Sequence, residues 1–136
     1  MNKLTTFIFL ALTIIFFTAF SCEEDVGLPK SIEKWKLIAQ LAHPGDGSGT
    51  FQPVESDRII EFIVDEDIVR SNGSFCGMGT SADEDATAIY NANEKYILIE
   101  DCGGTGFKIL YDFDEEFLYL RFPCIEPCVQ KYERLE

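Results

Sequence analysis

Apolar residues in this chain recur at every second position, in short runs that are each closed by turn-forming residues. A period of two sends successive side chains to opposite faces of an extended backbone, whereas a helix needs a period of 3.6. Trp35, Leu37, Ala39 and Leu41 alternate with Lys34, Lys36, Ile38 and Gln40, which predicts a first strand with one strongly apolar face. It ends in the turn-rich stretch His43-Pro44-Gly45-Asp46-Gly47. Residues 58–64 put Ile60, Phe62 and Val64 on one face, and Asp65-Glu66-Asp67 turns that strand into residues 68–70. Asn72-Gly73 breaks the pairing before Phe75 and Cys76, and residues 77–85, small and polar, read as an exposed loop.

The second half is denser in strand signal. Residues 87–90, 96–100, 107–113, 117–122 and 129–135 are joined by Asn91-Ala92-Asn93, Cys102-Gly103-Gly104, Asp114-Glu115 and the Cys124-Ile125-Glu126-Pro127-Cys128 turn. Consecutive β segments joined by tight turns form a meander. No long amphipathic helical stretch is present to cover a sheet. The expected fold is all-β: about eight short antiparallel strands fit a sandwich or an up-and-down barrel, and the consecutive hairpins favour the antiparallel up-and-down eight-stranded barrel. In such a barrel the first strand closes on the last and leaves no free edge.

Alternation also nominates the barrel's interior. Phe107, Ile109 and Tyr111 share one face, Leu118, Leu120 and Phe122 another, and Ile60, Phe62 and Tyr96 with Leu98 add apolar surface. Most of these serve a core. Were a ligand to enter, Tyr90, Tyr96, Tyr111 and Tyr132 are the residues that offer both a flat apolar face and a hydroxyl. A strand of about seven residues at barrel tilt spans only about 16 Å of height, so side chains can fill such an interior completely.

The N-terminus carries an address. Lys3 precedes an almost uncharged run over residues 4–20, and small Ala19 and Ser21 flank a cleavage point before Cys22. This is the layout of a secretory signal peptide. As a helix the run would rise about 25 Å, short of the roughly 30 Å hydrocarbon core, so a cleaved leader fits better than an uncleaved anchor. A cysteine directly after the cut resembles a bacterial lipoprotein signal, in which that thiol is acylated. Acidic Glu23, Glu24 and Asp25 then resemble the export signal of surface lipoproteins in Bacteroidetes. The expected organisation is a signal peptide over residues 1–21, an acidic tether over 22–31 behind lipidated Cys22, and a barrel domain over 32–136.

Four further cysteines, Cys76, Cys102, Cys124 and Cys128, form an even set, which in an oxidising compartment favours two disulfides. The tight turn between Cys124 and Cys128 favours that pair, and Cys76 with Cys102 follows by elimination. A zinc site is disfavoured, because two short cysteine pairs are missing and the chain has a single histidine.

The whole chain has a net charge of −13. Losing Lys3 with the leader brings it to about −14, which argues against nucleic acid and against binding to anionic headgroups through a basic patch. Asp65-Glu66-Asp67, Asp83-Glu84-Asp85, and Asp112 with Asp114, Glu115 and Glu116 supply oxygen ligands, but none follows the spacing of an EF-hand loop. No metal or cofactor is expected. His43 lies in a Pro-Gly loop with no recognisable serine or cysteine partner, and the carboxylates concentrate in turns, so no catalytic constellation is expected either.

Several segments together resemble the small lipocalin-like lipoproteins of Bacteroidetes: Trp35 early in the first strand, residues 58–64, Ser71-Asn72-Gly73-Ser74-Phe75-Cys76, and Cys124 to Cys128 followed by Lys131-Tyr132-Glu133-Arg134. The resemblance implies a shallow eight-stranded barrel, with the early Trp at a closed end near a basic side chain of the last strand. Trp35 with Arg134 or Lys131 is the matching arrangement. It also implies an outer-membrane, lipid-anchored protein that binds a small hydrophobic molecule or an envelope component without catalysis. The alternative is a structural or protein-interaction module whose barrel is filled.

Overall fold

The computed structural model describes residues 31–42 and 49–136. The leader, Cys22, most of the acidic tether and His43 lie outside the described residues.

The strands are β1 (Ile32–Ala42), β2 (Gln52–Pro53), β3 (Ile59–Ile63), β4 (Ile68–Ser71), β5 (Ala86–Asn91), β6 (Tyr96–Ile99), β7 (Phe107–Phe113), β8 (Phe117–Phe122) and β9 (Cys128–Leu135). A single turn of 3-10 helix, Val64–Glu66, links β3 to β4. Every neighbouring pair is antiparallel, and β1 also pairs with β9. Strands β1 and β3 to β9 thus form a closed antiparallel eight-strand barrel, the expected fold. Closure satisfies the hydrogen-bonding groups that an open sheet would leave at its edges.

β2 was not expected from the sequence. Beside it, β1 changes partner. Its first half, Ile32 to Lys36, pairs with β3, and further along Ala39 and Gln40 pair with Pro53 and Gln52 of β2. The register of β1 against β9 shifts between Leu37 and Ala39, a bulge at the point of exchange. There the backbone amide of Leu37 donates to the Arg58 carbonyl, and that of Val54 to the Ile38 carbonyl.

Alternation delivers the core as read for most strands. Trp35, Leu37, Ile60, Phe62, Ile109, Tyr111, Leu118, Leu120 and Tyr132 are all buried inside. Two faces need correction. Tyr96 and Leu98 point outward, and Ile97 and Ile99 fill the barrel instead. All four residues of β6 are apolar, so alternation alone does not select a face. Val64, expected beside Ile60 and Phe62, is exposed because β3 stops at Ile63 and the chain turns into the 3-10 helix. That turn closes at Asp67, whose φ of 54° is left-handed, a conformation Asp tolerates better than most residues.

The loop after β4 also departs from expectation. Residues 79–85 are exposed, but Phe75 is buried and Met78 packs against the core. This segment folds across one end of the barrel instead of leaving it.

Candidate functional site

The barrel has a proximal end, where β1 begins, and a distal end, where both disulfides lie. The proximal interior is aromatic. Phe62 meets Tyr90 edge-on with ring centres 5.0 Å apart and Tyr111 at 5.3 Å. Tyr111 stacks on Phe113, which in turn lies 6.1 Å from Trp35. Edge-on and offset ring contacts of this kind add to what area burial alone supplies. The Arg134 guanidinium carbon sits 5.6 Å from the Trp35 ring centre, on the residue that pairs with Trp35 across the β1–β9 seam. Of the two basic residues considered, Arg134 meets the tryptophan, while Lys131 lies over Phe117 at 3.6 Å. Trp35 is a core residue as well, and its indole Nε1 is buried without a hydrogen-bond partner among the described residues.

The four tyrosines divide. Tyr90, Tyr111 and Tyr132 are buried, whereas Tyr96 sits on the outer wall beneath the Lys108 ammonium, 3.8 Å away. Burial raises the Tyr90 hydroxyl above the usual tyrosine value, with the negative charges of Asp67, Glu33 and Asp65 adding to the effect. Burial, then Tyr90 and Asp67, pushes Tyr111 up to about 12. The Tyr111 hydroxyl donates to the Asn91 carbonyl at 3.4 Å. Tyr132 is raised by burial too, partly offset by the nearby charge of Arg58.

At the distal end a buried polar network holds the plug. The Tyr132 hydroxyl donates to Gln130 Oε1 at 2.7 Å, and Gln130 Nε2 donates to the Gly79 carbonyl at 3.1 Å. Arg58, fully buried, donates from Nη1 to Gly79 O and from Nη2 to Ser74 O, both at 2.6 Å. Its Nε has no partner among the described residues. Gln40 donates to the Met78 carbonyl and Ser56 to the Thr80 carbonyl, so five side-chain donors fasten one short stretch of backbone. Gly73 permits this fold-over, since a Cβ there would collide with the Ser81 carbonyl oxygen. The Cys76–Cys102 disulfide ties the plug to the β6–β7 connection, and Cys124–Cys128 closes the β8–β9 turn.

Arg58, Gln130 and Phe75 were not nominated from the sequence. Gln130 had a signal, because it alternates with Tyr132 and so faces inward. Arg58 had little, because its partners are backbone carbonyls far along the chain.

The acidic clusters form turns. Asp65 Oδ2 accepts from the Ser31 amide, and Asp114 Oδ1 accepts from the amides of Glu116 and Phe117, which lower the Asp114 carboxyl below the usual range. Asp112 is lowered chiefly by its hydrogen bond with the Lys95 ammonium at 2.8 Å. Among the described residues no three His, Cys, Asp or Glu side chains gather as they would around a metal ion.

Outside, two cross-strand rows run side by side. One passes Ile32, Ile63, Ile68, Ile89, Leu98 and Lys108, with Ile63 itself buried, the other Asn91, Tyr96, Leu110 and Arg121. Ile89 is 56% exposed and Leu110 51%. A groove of about 440 Å³ follows the first row along Ile68, Ile89 and Leu98, bordered distally by Glu84, Asp85 and Glu100. Comparison of the chain with family models, curated proteins and solved structures gives no match.

Proposed function

We propose that this chain is a non-catalytic binding module of the bacterial envelope, held by acyl chains on Cys22, that works through its outer wall. The supporting observation is the pairing of a filled interior with an exposed apolar exterior. Trp35, Phe62, Tyr111, Leu120 and Tyr132 occupy the barrel's axis at 0 to 4% exposure, while Ile89 and Leu110 stand in solvent. Exposed apolar surface of this kind marks an interaction site more often than chance placement does. The leader pattern, the acidic tether and the resemblance to small lipocalin-like lipoproteins supply the envelope part of this reading.

A second reading, binding of a small hydrophobic molecule inside the barrel, draws on one feature. Trp35 Nε1 is a buried donor without a partner among the described residues, on an indole beside the Phe113 ring, which itself stacks on Tyr111. Native mass spectrometry of the protein purified from its host separates the two. The outer-wall reading expects acylated Cys22 and no retained small molecule. A retained apolar ligand transfers the function to the interior, and an unacylated Cys22 removes the anchor.

A further inference from the structure

The rows on the outer wall have two properties that together name an occupant. First, each row meets a cation, Lys108 beyond Leu98 and Arg121 between Leu110 and Val129. Arg70 stands at the other side of the wall, on β4, between Glu61 and Thr87. Arg121 helps to lower the Asp112 carboxyl, and Arg70 stands opposite Glu61. In a chain with 24 acidic residues against 11 basic ones, apolar and cationic groups coincide on this wall, as they also do where Lys131 lies over Phe117 on β8 and β9. Many of the acids collect in the turns at the two ends, in Asp65-Glu66-Asp67, Asp114-Glu115-Glu116 and Asp83-Glu84-Asp85, while Glu84, Asp85, Glu100 and Asp101 border the groove at its distal margin and Asp112 lies on β7. Second, the longer row starts at Ile32, the residue through which the N-terminal segment joins the barrel. Ile32 follows Cys22 by ten positions, a stretch that reaches at most about 36 Å. An acylated Cys22 therefore keeps the barrel within roughly that distance of the bilayer.

We infer that the wall formed by Ile68, Ile89, Leu98, Tyr96 and Leu110 lies against a zwitterionic phospholipid surface, an inference that rests on the Cys22 anchor. The isoleucines and leucines enter the headgroup boundary, Tyr96 takes the interfacial position that suits a ring with a polar tip, and Lys108, Arg121 and Arg70 meet lipid phosphates. A zwitterionic surface fits the chain's net charge, which an anionic one would repel. The acidic turns remain in water at the two ends. A flat bilayer touches several adjacent strands of a barrel, and the wall's apolar residues lie on the consecutive strands β4 to β7, with Ile89 and Leu110 exposed and Ile68, Tyr96 and Leu98 half-buried.

The test uses the full-length acylated protein in phosphatidylcholine and phosphatidylethanolamine vesicles with brominated acyl chains, which quench nearby tryptophan. Ile89→Trp places a reporter on the wall, and Glu133→Trp places one on β9, across the barrel; both carry the same buried Trp35 background. Both sites are on the surface, and matched melting curves confirm that each variant is folded. The docked wall gives the residue 89 reporter at least about twofold more quenching than the residue 133 reporter, since an interfacial face sinks about 5–10 Å into the boundary. Equal quenching of two vesicle-bound variants overturns the docking and leaves the anchor standing. A Cys22 without acyl chains, with both variants free in solution and unquenched, overturns the anchor and the docking with it. Photocrosslinks from residue 89 to a protein in the host envelope, a second copy included, also overturn the docking.

Discussion

Arg58 Nη1 donates to the Gly79 carbonyl at 2.6 Å, across 21 residues of sequence, and so joins the start of β3 to the segment that stops the distal end of the barrel. Among the described residues the guanidinium donates to backbone carbonyls and to no carboxylate. Arg58→Met keeps most of the volume but leaves the Ser74 carbonyl without its donor. It is expected to cost about 2 kcal/mol, since charge-assisted bonds outweigh ordinary ones while the buried charge offsets part of the gain. Urea unfolding measures the total. Hydrogen exchange over residues 74–80 is expected to rise far more than exchange in β7 or β8, and unchanged protection there would assign the plug's stability to Phe75 and the disulfide.

The two disulfides differ in the length of chain they close. Cys76 and Cys102 are 26 residues apart, Cys124 and Cys128 only 4. Loop-closure entropy then gives a loss of about 3.5 kcal/mol for the Cys76→Ser/Cys102→Ser pair and about 2 kcal/mol for the Cys124→Ser/Cys128→Ser pair. Denaturant midpoints of the two double variants check the order. A larger effect from the short loop would show that native packing around the β8–β9 turn outweighs chain entropy.

Alkaline stability follows from the buried tyrosines. Tyr111 is raised to about 12, so the native barrel holds its proton where an unfolded chain has released it. The stabilisation is complete below pH 10, the ordinary tyrosine value, and is lost as the pH climbs from there to about 12. Unfolding followed by circular dichroism is expected to begin in that window, together with phenolate absorbance from the interior tyrosines. Tyr111→Phe is expected to lessen the loss. An alkaline transition identical to that of the parent protein would place its origin elsewhere.

Arg134 lies over Trp35 and pairs with Glu33 at 3.5 Å, but half of its side chain is exposed. A cation over a ring and an exposed ion pair are each worth under about 1 kcal/mol in such a setting. Arg134→Ala is expected to lower stability by about 1 kcal/mol and to shift Trp35 emission to the red as water reaches the indole. Arg134→Lys, which keeps the charge but not the flat guanidinium, is expected to fall between. A shift as large as that of a solvated indole would show that Arg134 seals the proximal end by itself.

How far the residues disclosed the fold varied with how sharply each segment contrasted with its flanks. β7 and β8 have the bounds read from the sequence, because a glycine-rich loop, an acidic turn and the Cys124 to Cys128 turn frame them. β6, with four apolar residues in a row, carried no such contrast, and Tyr96 was assigned to the interior. Lys95 adopts a φ of 53° just before it, a left-handed turn that nothing in a lysine announces. The distal network was hidden for a different reason. Its acceptors are carbonyl groups, which every residue possesses, so Arg58 has no partner that can be recognised by residue type. The outer wall could be assembled only once cross-strand register was known, since Ile68, Ile89, Leu98 and Leu110 are scattered along the chain.

The seam between β1 and β9 joins the first strand of the barrel to its last, with Trp35 opposite Arg134 and Lys34 opposite Leu135. A chain delivered from its N-terminus, by a ribosome or through a membrane pore, receives its closing strand at the very end. Until then β1 has one flank uncovered and the cylinder stays open. Such long-range pairing makes for slow folding. Without β9, the facing margins of β1 and β8 have backbone groups left to pair, and unpaired strand margins invite association with other chains.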